Sequence, residues 1–206
     1  MAPRVAVIRY GVGNIHSIVS GLRRAGAEPV VVECLRDPGS WDGVVLPGVG
    51  AFEAAASRLE GCRLEIREAL SMGAQLLGVC LGMQLLFEDS REAGLHSYGL
   101  GLLPGSVEKL VAWKLPHIGW SRVWRLPGRE CSLLEGVEDG SFFYFVHSYA
   151  YTRTWEPWVC AWTGYHMTRF AAVVEKPPVY GTQFHPERSG RLGLRVLGNW
   201  VRLLRR

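Results

Sequence analysis

Gly78-Val79-Cys80-Leu81-Gly82 restricts the fold more than any other segment of the chain. It follows an apolar stretch, Gln75 to Val79, that reads as a strand, and it opens an apolar stretch, Met83 to Phe87, that reads as a helix. A strand that turns directly into a helix strains its middle residue, and small residues two positions to either side are needed to let strand and helix approach. This is a nucleophile elbow with cysteine in place of serine. The turn lifts the Cys80 sulfur clear of the sheet edge, and the helix N-terminus behind it stabilises a thiolate. Cys34, Cys62, Cys131 and Cys160 have no such setting and read as inert buried side chains. The total of five cysteines is odd and contains no C-x-x-C pair, so neither a disulfide framework nor a zinc knuckle is expected.

The rest of the chain supplies the α/β frame that such an elbow needs. Val5 to Ile8 reads as a buried strand and Tyr10 to Asn14 as the turn after it, with Asn14 capping a helix from Ile15 to Ala25 that Gly26 ends. Strands follow at Glu28 to Glu33 and Gly43 to Leu46, then helices at Phe52 to Leu59 and Arg63 to Ser71. Short strands alternating with helices imply a doubly wound, mainly parallel sheet covered on both faces. From Gly99 to Tyr151 the pattern shortens and grows richer in Trp, Gly and Pro, which predicts an antiparallel extension. Strands near Phe170 to Val174 and Val179 to Phe184 precede a closing amphipathic helix, Arg191 to Leu204, with Leu192, Val196, Trp200 and Leu203 on one face.

Composition narrows the class of protein. With 206 residues, 48% hydrophobic and 20% charged, the chain reads as one globular domain spanning 1–206. No apolar run approaches the ~18 residues of a membrane span, and Met1 to Arg4 pass straight into strand pattern with no room for a signal segment. A soluble, cytoplasmic protein is therefore expected. The net charge of +4 is modest and gathers at Arg195, Arg202, Arg205 and Arg206, where cations offset a helix dipole. No basic stripe interleaves with aromatic residues, so nucleic acid is not an expected partner.

A cysteine nucleophile needs a base, and the base needs an orienting group. Gln183-Phe184-His185-Pro186-Glu187 supplies both at the end of a strand. In extended backbone, residues two apart face the same side, so Glu187 can reach the His185 imidazole, and Pro186 biases His185 toward that conformation. The carboxyl ends of parallel strands converge on one edge, which allows Cys80 and His185 to meet across about 100 residues of sequence. A thioester route also needs an oxyanion hole. One donor is the backbone N–H of Leu81; Pro47-Gly48-Val49-Gly50, in which glycines let amides face a ligand, is a candidate for the other. Judged alone, that loop also fits an ordinary glycine-rich turn.

The elbow running on through Met83-Gln84-Leu85-Leu86-Phe87, together with His185-Pro186-Glu187, resembles the class I (triad) glutamine amidotransferases over nearly the whole chain. Tyr10 to Asn14, Pro47 to Phe52, Pro116 to Trp120 and Phe145 to Tyr149 are similar to the histidine-pathway branch, the glutaminase subunits of imidazole glycerol phosphate synthase. The vitamin B6 branch instead carries a Gly-Gly-Glu-Ser-Thr run where Pro47 to Phe52 stands. The resemblance implies a flavodoxin-like fold, Cys80, His185 and Glu187 as triad, and Gly48, Val49 and Gly50 with Leu81 as oxyanion donors, the loop being switchable. It implies a glutamine pocket lined by Gln84, Glu92, Ser148 and Tyr149. For Glu92 there is also a physical reason, since the substrate α-ammonium needs an anion near the elbow, although a solvated loop carboxylate beside Glu88 and Asp89 fits equally.

The resemblance further implies no cofactor and no metal, and a heterodimer with a cyclase subunit, a (β/α)8 barrel that receives ammonia and converts PRFAR to imidazole glycerol phosphate and AICAR. Tyr10, Asn14, Trp120, Trp124 and Arg188 are candidate contacts with it, with core packing an equal account of the aromatics. The chain departs from the family at Arg9, where an acid is usual, and at Ser121, where an asparagine is usual. A glutaminase subunit of another synthase, in the pyridoxal phosphate or purine pathway, and a catalytically silent member of the superfamily are the alternatives. An intact Cys80, His185 and Glu187 speak against the second.

Overall fold

The computed structural model describes residues 1–11, 15–92 and 97–204. In chain order its elements are β1 (Arg4–Ile8), α1 (Ile15–Arg24), β2 (Glu28–Val32), β3 (Gly43–Leu46), α2 (Phe52–Leu59), α3 (Arg63–Ser71), β4 (Gln75–Val79) and α4 (Leu81–Gln84). There follow β5 (Phe87–Ser90), β6 (Ser97–Tyr98), β7 (Leu103–Lys109), β8 (His117–Arg125), β9 (Ser141–His147) and β10 (Tyr149–Ala150). The chain closes with β11 (Val159–Tyr165), β12 (Thr168–Lys176), β13 (Val179–Thr182) and α5 (Gly190–Leu203).

Among the described residues, nine strands form one sheet in the order β2-β1-β3-β4-β13-β12-β11-β8-β9. From β2 to β13 the neighbours are parallel, and from β13 outward they are antiparallel. This is the doubly wound sheet with an antiparallel extension that the sequence pattern implies. A smaller sheet, β10-β7-β5-β6, stands beside it.

Strands buried on both faces carry near-continuous apolar runs, and alternate residues serve two cores. Val5 and Val7 of β1 pack with Ile18 and Leu22 of α1 and with Val196 and Trp200 of α5. Ala6 and Ile8 face the other way, toward Phe52 and Leu59 of α2 and Ile66 of α3. Full burial of a side chain of this kind contributes ~1.5–3 kcal/mol, so the two layers clamp the parallel strands from either side.

Two expectations need correction. The apolar run after the elbow is not a helix to Phe87: α4 stops at Gln84 and Phe87 opens β5. Leu85, Leu86 and Phe87 are all fully buried, and Phe87 stacks on Tyr151 with ring centroids 4.1 Å apart. A short run that is apolar on every side carries no period to separate helix from strand. The cysteines outside the elbow are also not independent: Cys34 is joined to Cys62 and Cys131 to Cys160, with Cα atoms 5.4 Å apart in each pair. Partners 28 and 29 residues apart leave no spacing signature in the sequence. Cys80 alone is free. Cys131 and Cys160 also lie near Glu175, but both oxygens of that carboxylate accept amides, from Ser132 at 3.0 Å and Leu133 at 2.7 Å, which leaves no free ligand set for a metal.

Candidate active site

Because β1, β3, β4 and β13 are parallel and adjacent, the segments leaving their C-terminal ends share one edge of the sheet. These segments hold Tyr10, the Gly48-Val49-Gly50 loop, Cys80 and His185.

Cys80 adopts φ 53°, ψ −107°, a strained conformation for a residue with a side chain. The glycines on either side are required by contact. A Cβ on Gly78 would lie 2.5 Å from the Gly82 carbonyl oxygen, and one on Gly82 would lie 1.7 Å from the Leu46 carbonyl oxygen. The elbow is therefore locked against β3. Although α4 has only one turn, the amides of Leu81 to Met83 still begin a helix and have no intrahelical acceptor.

His185 leaves β13 in extended conformation, φ −94°, ψ 97°, and its own N–H is held by the Tyr144 carbonyl at 2.9 Å. Glu187 reaches it through the 3-10 turn Pro186–Arg188, a tighter path than the extended one the sequence suggests. The Nδ1 to Oε1 distance is 2.8 Å and both side chains are buried. A carboxylate at Nδ1 fixes the proton there and leaves Nε2 for the nucleophile. Among the described residues Nε2 has no hydrogen-bond partner. Burial disfavours a charged ring, but the neighbouring Cys80 and then Glu187 outweigh it and hold His185 up at about 10. The imidazole therefore holds a proton at neutral pH.

A cavity of ≈ 250 Å³ opens in front of Cys80, lined by Val49, Gly50, Leu81, Gln84, Glu92, Ser148 and Tyr149 among others. Gly48 lines a second cavity, ≈ 130 Å³, with Tyr10, His185, Glu187 and Arg188. Gln84 is buried, and its Nε2 donates to the Tyr149 carbonyl at 2.7 Å and to Gln183 Oε1 at 3.2 Å. One Glu92 oxygen accepts the Phe52 N–H at 2.6 Å, at the first turn of α2, so the carboxylate that faces the cavity is anchored by a helix terminus.

Three residues escaped the sequence reading. Gln183 is fully buried and its Nε2 points to the Cys80 sulfur at 3.6 Å; it sits two residues before His185, and the period of a strand could have found it. His117 and His147 form a buried pair, Nδ1 to Nε2 3.4 Å. His147 Nδ1 meets the Tyr149 carbonyl at 2.9 Å, and His117 Nε2 meets Ser121 Oγ at 2.9 Å. Both rings are neutral: burial and then His166 lower His117 to about 4, while burial and then His117 lower His147 to about 3. A buried pair of this kind has no signal beyond the two motifs that contain it.

The expected partner contacts divide. Trp120 and Trp124 are exposed on one face of the β8–β9 pair, beside exposed Ile118 and Phe142. Arg188 is exposed, with its guanidinium 4.3 Å from the centroid of Tyr144. Tyr10 is buried under the Gly48 loop rather than on a surface, because β1 runs straight into the core before it turns. Asn14 lies outside the described residues. Arg9 is paired on the surface with Glu33.

Residues 6–202 match the model of the class-I glutamine amidotransferases. The chain belongs to that family. It is an enzyme of the Cys-His-Glu type. It is 45% identical over 199 residues to the imidazole glycerol phosphate synthase subunit HisH of Bacillus cytotoxicus, covering 95% of this chain and 93% of that protein. The HisH subunit of Moorella thermoacetica is 45% identical over 207 residues, covering 98% and 95%; that of Leifsonia xyli is 43% identical over 213 residues, covering 98% and 99%. These relatives favour the histidine-pathway branch over the pyridoxal phosphate and purine branches. The solved structure of PurLQS from Thermotoga maritima superposes with a TM-score of 0.78 at 20% identity, over 98% of this chain and 99% of that one, which supports the fold.

Proposed function

We propose that this chain is the glutaminase subunit of a cytoplasmic imidazole glycerol phosphate synthase, and that it hydrolyses glutamine at Cys80 and delivers ammonia to a cyclase subunit. The observation that carries the reading is the alignment of Cys80, His185 and Glu187 on one sheet edge, beside a cavity large enough for an amino acid. The Cys80 thiolate attacks the side-chain amide carbon of glutamine, and amides of Leu81 and of the Gly48 to Gly50 loop stabilise the oxyanion. His185 gives its proton to the departing ammonia, then takes one from the water that hydrolyses the thioester. Glu92 holds the substrate α-ammonium, while Gln84, Ser148 and Tyr149 shape the pocket.

Ammonia protonated by bulk water is no longer a nucleophile, so it passes within the heterodimer to a (β/α)8-barrel cyclase, which converts PRFAR to imidazole glycerol phosphate and AICAR. The exposed aromatic face around Trp120 and Trp124, with Arg188 beside it, supports a docking role for that side of the extension. The test is glutamate release from the wild-type and Cys80→Ala chains in complex with the cyclase. The variant is expected to lose the activity while still assembling; unaltered release would overturn the assignment.

A further inference from the structure

Tyr10 follows β1, is 4% exposed, and its hydroxyl makes no hydrogen bond among the described residues. A buried phenol left unmet is costly, so a conformation that satisfies it is favoured. The hydroxyl abuts Gly48: a Cβ on that glycine would lie 2.8 Å from Oη and 3.4 Å from Cζ. Gly48 and Val49 line the smaller cavity with Tyr10, while Val49 and Gly50 line the Cys80 cavity, so the loop is the wall between the two. The N–H and C=O of a peptide point in opposite directions. Turning a loop N–H toward Cys80 therefore turns its carbonyl toward the rear space of ≈ 130 Å³ where the Tyr10 hydroxyl waits. Gly50, at φ +122° with nothing within 4 Å of a Cβ, leaves the loop free to make that turn. Burial, and then the charge of Cys80, push the phenol above the ordinary tyrosine range, which keeps it a donor.

We propose that Tyr10 is a positioning residue for the oxyanion loop, its hydroxyl donating to the loop carbonyl that swings into the rear cavity when a loop amide turns toward the substrate oxyanion. This rests on reading Gly48 to Gly50 as the oxyanion donor of a Cys80 glutaminase. The hydrogen bond exists only in the donor conformation, so its loss lowers the population of that conformation and the turnover that depends on it.

The experiment compares Tyr10→Phe with wild type in the assembled complex, measuring glutamate release and, separately, alkylation of Cys80 by iodoacetamide, which needs no oxyanion hole. Phenylalanine keeps the ring that fills the core. The expected result is a fall in kcat of about tenfold, the equivalent of one hydrogen bond, with KM and the alkylation rate unchanged and thermal stability equal or higher. Wild-type kcat overturns the proposal, as does a slower alkylation or raised KM in step with kcat, since either places the effect at the nucleophile or pocket. Activity surviving in Cys80→Ala would instead remove the underlying glutaminase reading, so the two failures are distinguishable.

Discussion

His147 makes the fold sensitive to acid in a way that can be calculated. Its ring is buried, touches His117, and meets the edge of Phe170 with centroids 4.9 Å apart. Burial, then His117, lowers its pKa from 6.5 in the unfolded chain to about 3. A folded value below the unfolded one means that the unfolded state binds the proton first. The neutral ring's stability is complete above pH 6.5 and is lost as pH falls toward 3. At pH 5 the unfolded imidazole has been protonating over roughly 1.5 pH units while the native one has not, and at ~1.36 kcal/mol per unit this amounts to about 2 kcal/mol. Because His117 and His185 also titrate differently in the two states, the His147 share is read as the difference between wild type and a variant without this ring in urea unfolding at pH 7.5 and pH 5, about 1 M in midpoint for a slope near 2 kcal/mol/M. His147→Phe keeps an aromatic ring in the site and removes the titration. Its stability is expected to fall by about 2 kcal/mol less than that of wild type over this pH interval. Parallel losses in the two proteins would refute a neutral, buried His147.

Gly82→Ala drives a methyl group against the Leu46 carbonyl and is expected to prevent native folding, whereas Gly198→Ala in α5, with nothing within 4 Å of the new Cβ, is expected to stabilise by roughly 0.5–1 kcal/mol; soluble yield and thermal melting separate the two. The crosslinks Cys34–Cys62 and Cys131–Cys160 close segments of 28 and 29 residues, and loop entropy assigns each about 3–4 kcal/mol. Mild reduction is expected to lower Tm by about 10 °C or more while leaving Cys80 active, and an unchanged melt with all cysteines titrating as thiols before reduction would refute the crosslinks.

The parallel half of the sheet was legible because its chemistry is local: β3, α2, α3 and β4 have the boundaries that the apolar runs and their breaks imply. Cys80, His185 and Glu187 were legible for a related reason, since Cys80 and His185 follow directly on strands, one between the two glycines of the elbow and the other two residues before Glu187. What escaped depends on distant contacts. The run Leu85 to Phe87 became a buried turn leading into β5 because β7 and Tyr151 cover Phe87, and neither is close in sequence. For Tyr10, partner contact and core packing were equal accounts in the sequence, and the ring stays in the core. The cysteine pairs and the His117–His147 contact join segments about thirty residues apart, where no period operates.

These contacts also divide the site into a fixed part and an adjustable one. Cys80 is held by backbone packed too closely to move, with β3 against Gly82 and Gly82 against Gly78, and Gln183 and His185 reach it from the next strand. The far side of the cavity is likewise tied down, through Gln84 to the Tyr149 carbonyl and through that carbonyl to His147. The Gly48 to Gly50 loop has neither constraint: Gly50 is open, Val49 is exposed, and space lies on both sides. On the proposed reading, an amide that faces the oxyanion only during turnover belongs on such a segment, because moving it leaves Cys80 and His185 undisturbed. Regulation that acts through the loop therefore changes kcat while the reactivity of Cys80 toward a simple alkylating agent stays constant.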